Sequence, residues 1–238
     1  FFQEKKKKIK NDKIALISAQ LDDDYFLIKN FFIGQYLSDY KGLNLAYFIN
    51  FHDLRSNISL LNKFKSIFVY NFLGFLKMKK KYDSFCHEYF FNFHYIKPRK
   101  NFYDELKIAK LKINQILDYE YKKIKIGDLC VDTYLQTFHK FLFDKNLDDI
   151  KNDPKFKITF NTACQIIDKF FDYFESKNIS FYITNYSGYL DHGLGLRVAN
   201  YHKCKIYITG DLYKAFIINN DIYHKYDYEK NLDNFEKL

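Results

Sequence analysis

The stretch "ISFYITNYSGYLDHGLGLRVANYHKCKIYITG", residues 179–210, decides the fold of this chain. It opens at residues 179–185 with β-branched and aromatic residues, which predict a buried strand. Residues 192–203 predict a helix, and residues 205–210 predict a second strand. A strand, a helix and a strand in this order are typical of a parallel sheet with crossover helices.

The same alternation is predicted near the start of the chain. Short apolar runs predict three strands, at residues 13–20, 43–50 and 65–72. Two stretches between them predict helices, at residues 21–40 and 51–64. The predicted fold class is therefore α/β, an open and mostly parallel sheet with helices on both faces.

The middle of the chain has fewer strand signals. Residues 73–100 are basic and aromatic and are expected to form a surface excursion. Residues 102–124 carry apolar side chains at helical spacing and predict one long helix. A Gly-Asp pair opens a further predicted helix over 124–143.

A break is predicted at residues 153–154, where Asp precedes Pro. The next helix is expected over residues 160–178, capped by Asn161 or Thr162. No glycine-rich dinucleotide or P-loop motif and no G-x-S-x-G motif occurs, so the enzyme classes that use them find no support.

Composition indicates a globular protein. The chain has 238 residues, of which 47% are hydrophobic, enough for a sizeable core. Its four Cys residues are far apart and form no C-x-x-C pair, so neither a zinc site nor a disulfide framework is indicated. No apolar run is long enough to predict a membrane span, and no signal peptide is evident. We therefore expect a cytoplasmic location.

The positive charge is concentrated in the first half. Residues 1–126 have 24 basic and 13 acidic side chains, whereas residues 127–238 have 14 and 16. Runs at residues 4–10, 77–81 and 97–100 supply most of the surplus. Such runs suit nucleic acid, anionic lipid headgroups or acidic substrates. Alternatively, they are solvated loops and helix ends.

A polar cluster lies between the strand and the helix of the opening stretch. Tyr189, Asp191, His192 and Arg197 fall within nine positions, beyond the carboxyl end of a predicted strand, where open α/β sheets bind ligands. His192 is a candidate general base, since an ordinary imidazole titrates near neutrality. Arg197 could hold a carboxylate or phosphate with its planar fork. Alternatively, His192 caps the helix and Arg197 pairs with a nearby acid.

A second cluster lies in "IGDLCVDTYLQ", residues 126–136. Asp128 and Asp132 are four residues apart, so a helix would place them on one face, and Tyr134 adds a hydroxyl. These groups could bind sugar hydroxyls. Alternatively, Asp128 caps the helix and Asp132 lies on its solvated face.

The two clusters together resemble bacterial surface-carbohydrate biosynthesis transferases, the kind found in capsule and lipopolysaccharide loci. Their patterns are Ile-Gly-Asp-Leu-x-x-Asp-Thr-Tyr-Leu and Tyr-x-x-His-Gly-x-x-x-Arg-x-Ala, which match "IGDLCVDTYL" and "YLDHGLGLRVA" here. The resemblance covers residues 120–215. One departure is Gln136, where the family usually has Arg. Those proteins look like GT-B glycosyltransferases, in which two Rossmann-like domains face a cleft.

The resemblance implies a role for each matched residue. His192 would be the base that deprotonates the attacking sugar hydroxyl. The residues implied in substrate binding are Asp128, Asp132, Tyr134, Tyr189 and Arg197. GT-B enzymes generally need no bound metal, and no cofactor is expected in this chain. A nucleotide-sugar donor is expected in a second domain.

The resemblance also implies an organisation. Residues 1–238 would be the single Rossmann-like, acceptor-binding, N-terminal domain of a longer two-domain enzyme, with residues 226–238 leading towards the second domain. The expected partners are a polysaccharide or lipid-linked saccharide acceptor and a nucleotide-sugar. The basic first half would contact the anionic inner face of the membrane, and no nucleic acid is expected.

Three alternatives remain open at this point. One is a related transferase that adds a non-sugar, phosphorylated substituent to a surface polysaccharide. Another is a basic α/β module that binds nucleic acid, for which residues 127–238 offer no support. The third is a scaffold that keeps the fold without the chemistry.

Overall fold

The computed structural model describes the residues in six ranges, namely 12–18, 24–52, 88–94, 107–138, 147–211 and 214–218. The strand predicted at residues 65–72, almost all of the helix predicted at 51–64 and the segment 226–238 lie outside these ranges. The same holds for the three basic runs of the first half.

The secondary structure alternates between strands and helices. In chain order the strands are β1 (Ile14–Ser18), β2 (Asn44–His52), β3 (Glu88–His94), β4 (Glu120–Tyr121), β5 (Ile124–Lys125), β6 (Ile179–Thr184), β7 (Lys205–Asp211) and β8 (Lys214–Ile218). The α-helices are α1 (Asp24–Lys41), α2 (Ile113–Leu117), α3 (Gly127–Phe138), α4 (Leu147–Ile150), α5 (Pro154–Ser176) and α6 (Leu194–Tyr201).

Six of the strands form one mostly parallel sheet in the order β3-β2-β1-β6-β7-β8. The four pairings from β3 to β7 are parallel, and β8 runs antiparallel to β7. Leu16 of β1 lies between Ala46 of β2 and Tyr182 of β6. The prediction of an α/β fold with a mostly parallel sheet is confirmed.

The connections leave the centre of the sheet in opposite directions. From β1 the chain passes through α1 to β2, on one side of β1. From β6 it passes through α6 to β7, on the other side. The carboxyl ends of β1 and β6 therefore flank the point where the strand order reverses, which is where open α/β sheets leave a crevice.

Helices pack on both faces of this sheet. On one face, Gly34 of α1 lies against Ile17 and Leu45. On the other face, Phe48 of β2 packs edge-to-face on Phe170 of α5, with ring centroids 5.4 Å apart. Residues of alternating parity on β1 and β2 thus face opposite helical layers, and both layers are buried.

Helix α5 begins earlier than predicted. Asp153 is its N-cap and accepts a hydrogen bond from the backbone N–H of Lys155 at 2.9 Å, and Pro154 is the first helical residue. Pro is tolerated there because the first N–H groups of a helix have no partner within the helix. The predicted break at 153–154 is therefore the start of the helix, and the predicted caps Asn161 and Thr162 lie inside it.

The prediction of one long helix over residues 102–124 is wrong for the part that the structure describes. That part contains a short 3₁₀ turn (Ile108–Lys110), the short helix α2 and a two-stranded hairpin, β4–β5. Lys122 and Lys123 connect the hairpin with φ of 50° and 65°. Two consecutive left-handed residues are what a tight hairpin turn requires, although Asn and Gly usually supply them.

Residues 88–94 form β3, the outermost strand of the sheet among the described residues, within a stretch predicted to be a surface excursion. β3 pairs with β2 over seven consecutive residues, from Glu88 beside Ala46 to His94 beside His52.

No helix in the described ranges combines the length and apolar character needed to cross a membrane.

Candidate functional site at the carboxyl edge of the sheet

A buried polar network joins the carboxyl ends of three neighbouring strands. Asn30 of α1 donates through Nδ2 to the backbone carbonyl of Ser18, at the end of β1, and to Oδ1 of Asn185, directly after β6. The hydroxyl of Thr209 on β7 lies 2.6 Å from Asn30 Oδ1 and 3.1 Å from Asn185 Oδ1. Lys29 adds a positive charge, since its Nζ donates to the carbonyl of Thr209 at 2.6 Å.

This network is almost inaccessible to solvent. Asn30 and Thr209 are 0% exposed, Ser18 is 1% and Asn185 is 2% exposed. Buried amides and hydroxyls are stabilised only when they are hydrogen-bonded, so the network fixes the relative positions of α1, β1, β6 and β7. It lies at the strand-order reversal, where open α/β sheets bind ligands, and these residues are named the crevice floor for that position.

The chain after β6 forms an exposed, strained turn beside this floor. Tyr186 and Tyr189 are 41% and 38% exposed, and Tyr189 has a left-handed backbone with φ of 56°. A bulky residue in this region is a conformational outlier, and such outliers often occur at functional sites. Residues Tyr189–Gly193 then form a single π-helical turn, which leads into α6.

His192 lies in this π-helical turn, against the end of β6. Its Nδ1 is 3.5 Å from Thr184 Oγ1, and its ring packs edge-on against Tyr186, with ring centroids 5.4 Å apart. Thr184 donates its only hydroxyl proton to the carbonyl of Tyr186 at 3.3 Å. Thr184 and Tyr186 thus hold the His192 ring against the end of β6.

Two contacts hold the π-helical turn in place. The backbone N–H of Leu190 donates to Thr133 Oγ1 of α3 at 2.9 Å, and both residues are buried. At Gly193 a Cβ would lie only 2.5 Å from the carbonyl oxygen of Ser187 and 2.6 Å from Leu129, so only glycine fits there. The turn that carries His192 is thus fixed to α3.

Arg197 forms a buried ion pair. It is 4% exposed, and its two terminal nitrogens bind both carboxylate oxygens of Asp128 at 2.6 and 2.7 Å. Nη1 also donates to the carbonyl of Lys125 at 2.6 Å. The sequence left open whether Arg197 binds a substrate or pairs with a nearby acid, and the contacts show the acid pair.

The other residues of the second predicted cluster point in different directions. Tyr134 is 0% exposed and donates its hydroxyl to Asp153 Oδ2 at 2.6 Å, so it lies in the core between α3 and α5. Its pKa is raised by burial and by Asp153. Asp132 is exposed, yet packing on one side and the charge of Asp128 raise its pKa, which Arg197 partly lowers. Their substrate contacts stay predictions.

Two of the three described cysteines are core residues. Cys130 and Cys164 are buried, and burial raises the pKa of both thiols. The neighbouring Cys164 raises the pKa of Cys130 further, and Asp168 does the same for Cys164. Protonated, buried thiols are poor nucleophiles and poor metal ligands. Among the described residues, no group of three or more His, Cys, Asp or Glu side chains could hold a metal ion.

The structure thus separates the predicted site residues into groups. His192 and Tyr189 lie at the crevice, the Asp128–Arg197 pair joins α3 to α6, and Tyr134 is in the core. The sequence reasoning missed three residues of the crevice floor, which are Asn30, Asn185 and Thr209. The available signal was a polar residue within or directly after an apolar element.

Comparison with protein-family models, with curated proteins and with solved structures finds no significant match for this chain.

Proposed function

We propose that this chain is the acceptor-binding α/β domain of a glycosyltransferase, which transfers a sugar from a nucleotide-sugar to a growing capsular or other surface polysaccharide. The observation that carries the proposal is the position of His192. It lies against Thr184 at the carboxyl end of β6 and against the exposed Tyr186, three residues along the chain from the exposed Tyr189. The two sequence motifs that resemble surface-carbohydrate transferases add to it.

The sheet topology supports the same assignment. Counted along the chain, the six strands of the large sheet follow the order 3-2-1-4-5-6, the order of the classical doubly wound nucleotide-binding fold, with the last strand antiparallel. We therefore assign a Rossmann-like fold of the kind that builds each half of a GT-B enzyme. The crevice between β1 and β6 is then the acceptor site.

In this proposal His192 is the general base. Its Nδ1 contacts Thr184, and Nε2, on the other edge of the ring, is assigned as the proton acceptor. In the proposed reaction Nε2 takes the proton from the attacking hydroxyl of the acceptor sugar. The hydroxyl oxygen forms a bond to the reacting carbon of the donor sugar, and the bond between that carbon and the nucleotide phosphate breaks. Tyr186 and Tyr189 offer aromatic faces with polar edges, which suit a saccharide.

Arg197 is assigned a positioning role in this proposal. Its pairing with Asp128 fixes α6 against α3, and α6 follows directly from the turn that carries His192. Asp132, the exposed acid one turn further along α3, is the remaining candidate for a contact with acceptor hydroxyls.

The test is a transfer assay with the full-length gene product. The enzyme is incubated with a panel of nucleotide-sugars and host polysaccharide fragments, and product masses are measured. We expect a mass gain of one sugar and a loss of about 10²- to 10⁴-fold in rate for His192→Ala. His202→Ala is the matched control, since His202 packs among Phe171 and Phe174, beyond the far end of α6.

Three results would contradict the proposal. Full turnover by His192→Ala would remove the base assignment. A mass gain other than a sugar would identify a substituent transferase instead. The absence of any gain, together with nucleic-acid binding that weakens steeply with salt, would favour the basic first half as the functional region.

A further inference from the structure

The amide of Asn185 has a fixed orientation, because the hydrogen bonds of the crevice floor can be assigned in only one way. The backbone carbonyl of Ser18 can only accept, so the Asn30 atom 3.0 Å from it must be Nδ2. The same Nδ2 contacts the side chain of Asn185, and the atom that faces it must therefore be Oδ1. The Asn185 Nδ2 is consequently directed away from Asn30 and Thr209.

This leaves two polar groups at adjacent strand ends without a protein partner among the described residues. Among the residues that the structure describes, no hydrogen bond engages Nδ2 of Asn185, which is 2% exposed. The same holds for the hydroxyl of Ser18, at the end of the neighbouring strand. A buried hydroxyl is normally hydrogen-bonded, so the unsatisfied Ser18 hydroxyl, next to an amide N–H group without a protein partner, indicates groups that a ligand completes.

The charge around these groups selects the chemistry of the ligand. Asn185 Nδ2 has two N–H donors and no acceptor, and the ammonium of Lys29 lies on the carbonyl of Thr209 in the same network. Donors beside a positive charge favour an oxygen acceptor, and a negatively charged oxygen most of all.

We infer that Asn185 is the substrate-selecting donor of the crevice, whose side-chain N–H groups bind an oxygen of the acceptor saccharide, either a hydroxyl or an acidic group. This inference rests on the proposed function and deepens it, since it names the group that recognises the acceptor. Asn185 touches the substrate in this assignment, whereas Asn30 and Thr209 hold its amide in place.

The test is a nuclear magnetic resonance titration of the ¹⁵N-labelled full chain. The side-chain NH₂ signals of Asn185 are assigned by their absence in the Asn185→Asp variant. The probes are glucose, glucuronic acid and inorganic phosphate, which separate a neutral hydroxyl, a sugar carboxylate and a free phosphate as the source of the oxygen. We expect a saturable shift of the Asn185 NH₂ signals with at least one of the two sugars.

The Asn185→Asp variant also tests the affinity. It keeps an oxygen towards Asn30 and Thr209 and replaces the N–H donors with a second, acceptor-only carboxylate oxygen, so binding of the preferred sugar should weaken about tenfold or more at pH 8. Asn178→Asp makes the same change at the exposed, opposite end of β6 and should bind within twofold of the unmodified chain, a bound of about measurement error. Thermal unfolding of each variant verifies that it is folded.

The outcomes separate this inference from the proposed function. Three outcomes overturn the inference: no shift of the Asn185 signal with any probe, a shift with phosphate alone, or unchanged sugar affinity in Asn185→Asp. The sugar transfer that depends on His192 would then still be tested by its own assay. A saturable Asn185 shift combined with full turnover by His192→Ala supports the inference and removes the catalytic assignment instead.

Discussion

Arg197 and Asp128 form a two-pronged ion pair that joins the helix after the candidate site to the helix beside it. Both carboxylate oxygens of Asp128 lie within 2.7 Å of the guanidinium, and Arg197 is 4% exposed. The match between a planar fork and a carboxylate fixes orientation as well as distance. This pair therefore determines the angle at which α6 leaves the turn that carries His192.

Breaking this pair should destabilise the protein strongly. Asp128→Asn leaves a buried guanidinium without its counter-charge, and we expect the free energy of unfolding to fall by about 3 kcal/mol. Urea unfolding followed by circular dichroism measures the change. The control is Asp118→Asn, which removes the ion pair between Asp118 and Lys125. The Asp118 side chain is 76% exposed, so this change should lower the free energy of unfolding by less than about 0.5 kcal/mol. Equal effects of the two variants would contradict the importance of burial.

Gly195 of α6 should not accept a methyl group, although Gly→Ala in a helix ordinarily stabilises by about 1 kcal/mol. Its Cβ would overlap the hydroxyl of Tyr182 and lie 2.7 Å from Phe170 Cζ. We expect Gly195→Ala to cost about 1–3 kcal/mol in the free energy of unfolding.

A second substitution identifies the cause of that loss. Tyr182 is 0% exposed, and its hydroxyl has no hydrogen bond among the residues that the structure describes. Tyr182→Phe alone should therefore be neutral or slightly stabilising. Combined with Gly195→Ala it should restore part of the lost stability, because the closest overlapping atom is gone. Strict additivity of the two changes would show that the hydroxyl is not the obstacle.

Thr133 should control the turn that carries His192. Thr133→Val keeps the shape but removes the acceptor of the Leu190 N–H, and a buried, unsatisfied N–H costs about 1–3 kcal/mol. The expected results are lower thermal stability and lower transfer activity. Thr133→Ser keeps the hydroxyl and should retain most of both. Loss of activity in the serine variant as well would indicate that the methyl group matters rather than the hydrogen bond.

Stability should decrease at alkaline pH partly through Cys204. Burial raises the pKa of its thiol from 9.0 to about 12 in the folded state. The unfolded chain therefore loses this proton first, so the contribution is complete below pH 9.0 and is lost as the pH rises towards about 12. The loss is at most about 1.4 kcal/mol per pH unit, and partial exposure reduces it.

Cys204→Ala provides the measurement. Urea unfolding at pH 7.5, 9.5 and 10.5 should show that the difference in the free energy of unfolding between the unmodified chain and the variant narrows as the pH rises. Below pH 8 this difference should change by about 0. The variant lacks the hydrogen bond from Cys204 Sγ to the carbonyl of Ile179. The loss of this bond sets the difference in the free energy of unfolding between the two proteins at neutral pH. A constant difference across this range would exclude the thiol as a source of the pH dependence.

Much of the fold could be predicted from local sequence. The apolar runs that became β1, β2, β6 and β7 are short, rich in β-branched and aromatic residues, and separated by helical stretches. Their burial on both sides removes the alternation of polar and apolar residues, which is why a continuous apolar run predicts a parallel strand. The crossover through α6 was predicted for the same reason.

The errors have local physical causes. The stretch 107–125 has apolar side chains at helical spacing, but the left-handed backbone at Lys122 and Lys123 turns it into a hairpin without the Asn or Gly that would announce one. β3 was missed because an edge strand is defined by pairing with β2 and not by its own composition. The start of α5 was predicted too late because an Asp-Pro pair indicates a break in the chain. Here the same two residues, Asp153 and Pro154, are the N-cap and the first residue of the helix.

The sequence by itself determined the type and order of the central elements and the chemical types of the residues near position 192, because helical and strand periodicity and side-chain chemistry are local properties. Only the tertiary structure decided which of those residues meet. Arg197 pairs with Asp128 across 69 positions of sequence, and Asn30 bonds to Asn185 across 155. Such contacts depend on strand order and helix placement, which arise from packing of the whole core rather than from any neighbouring residue.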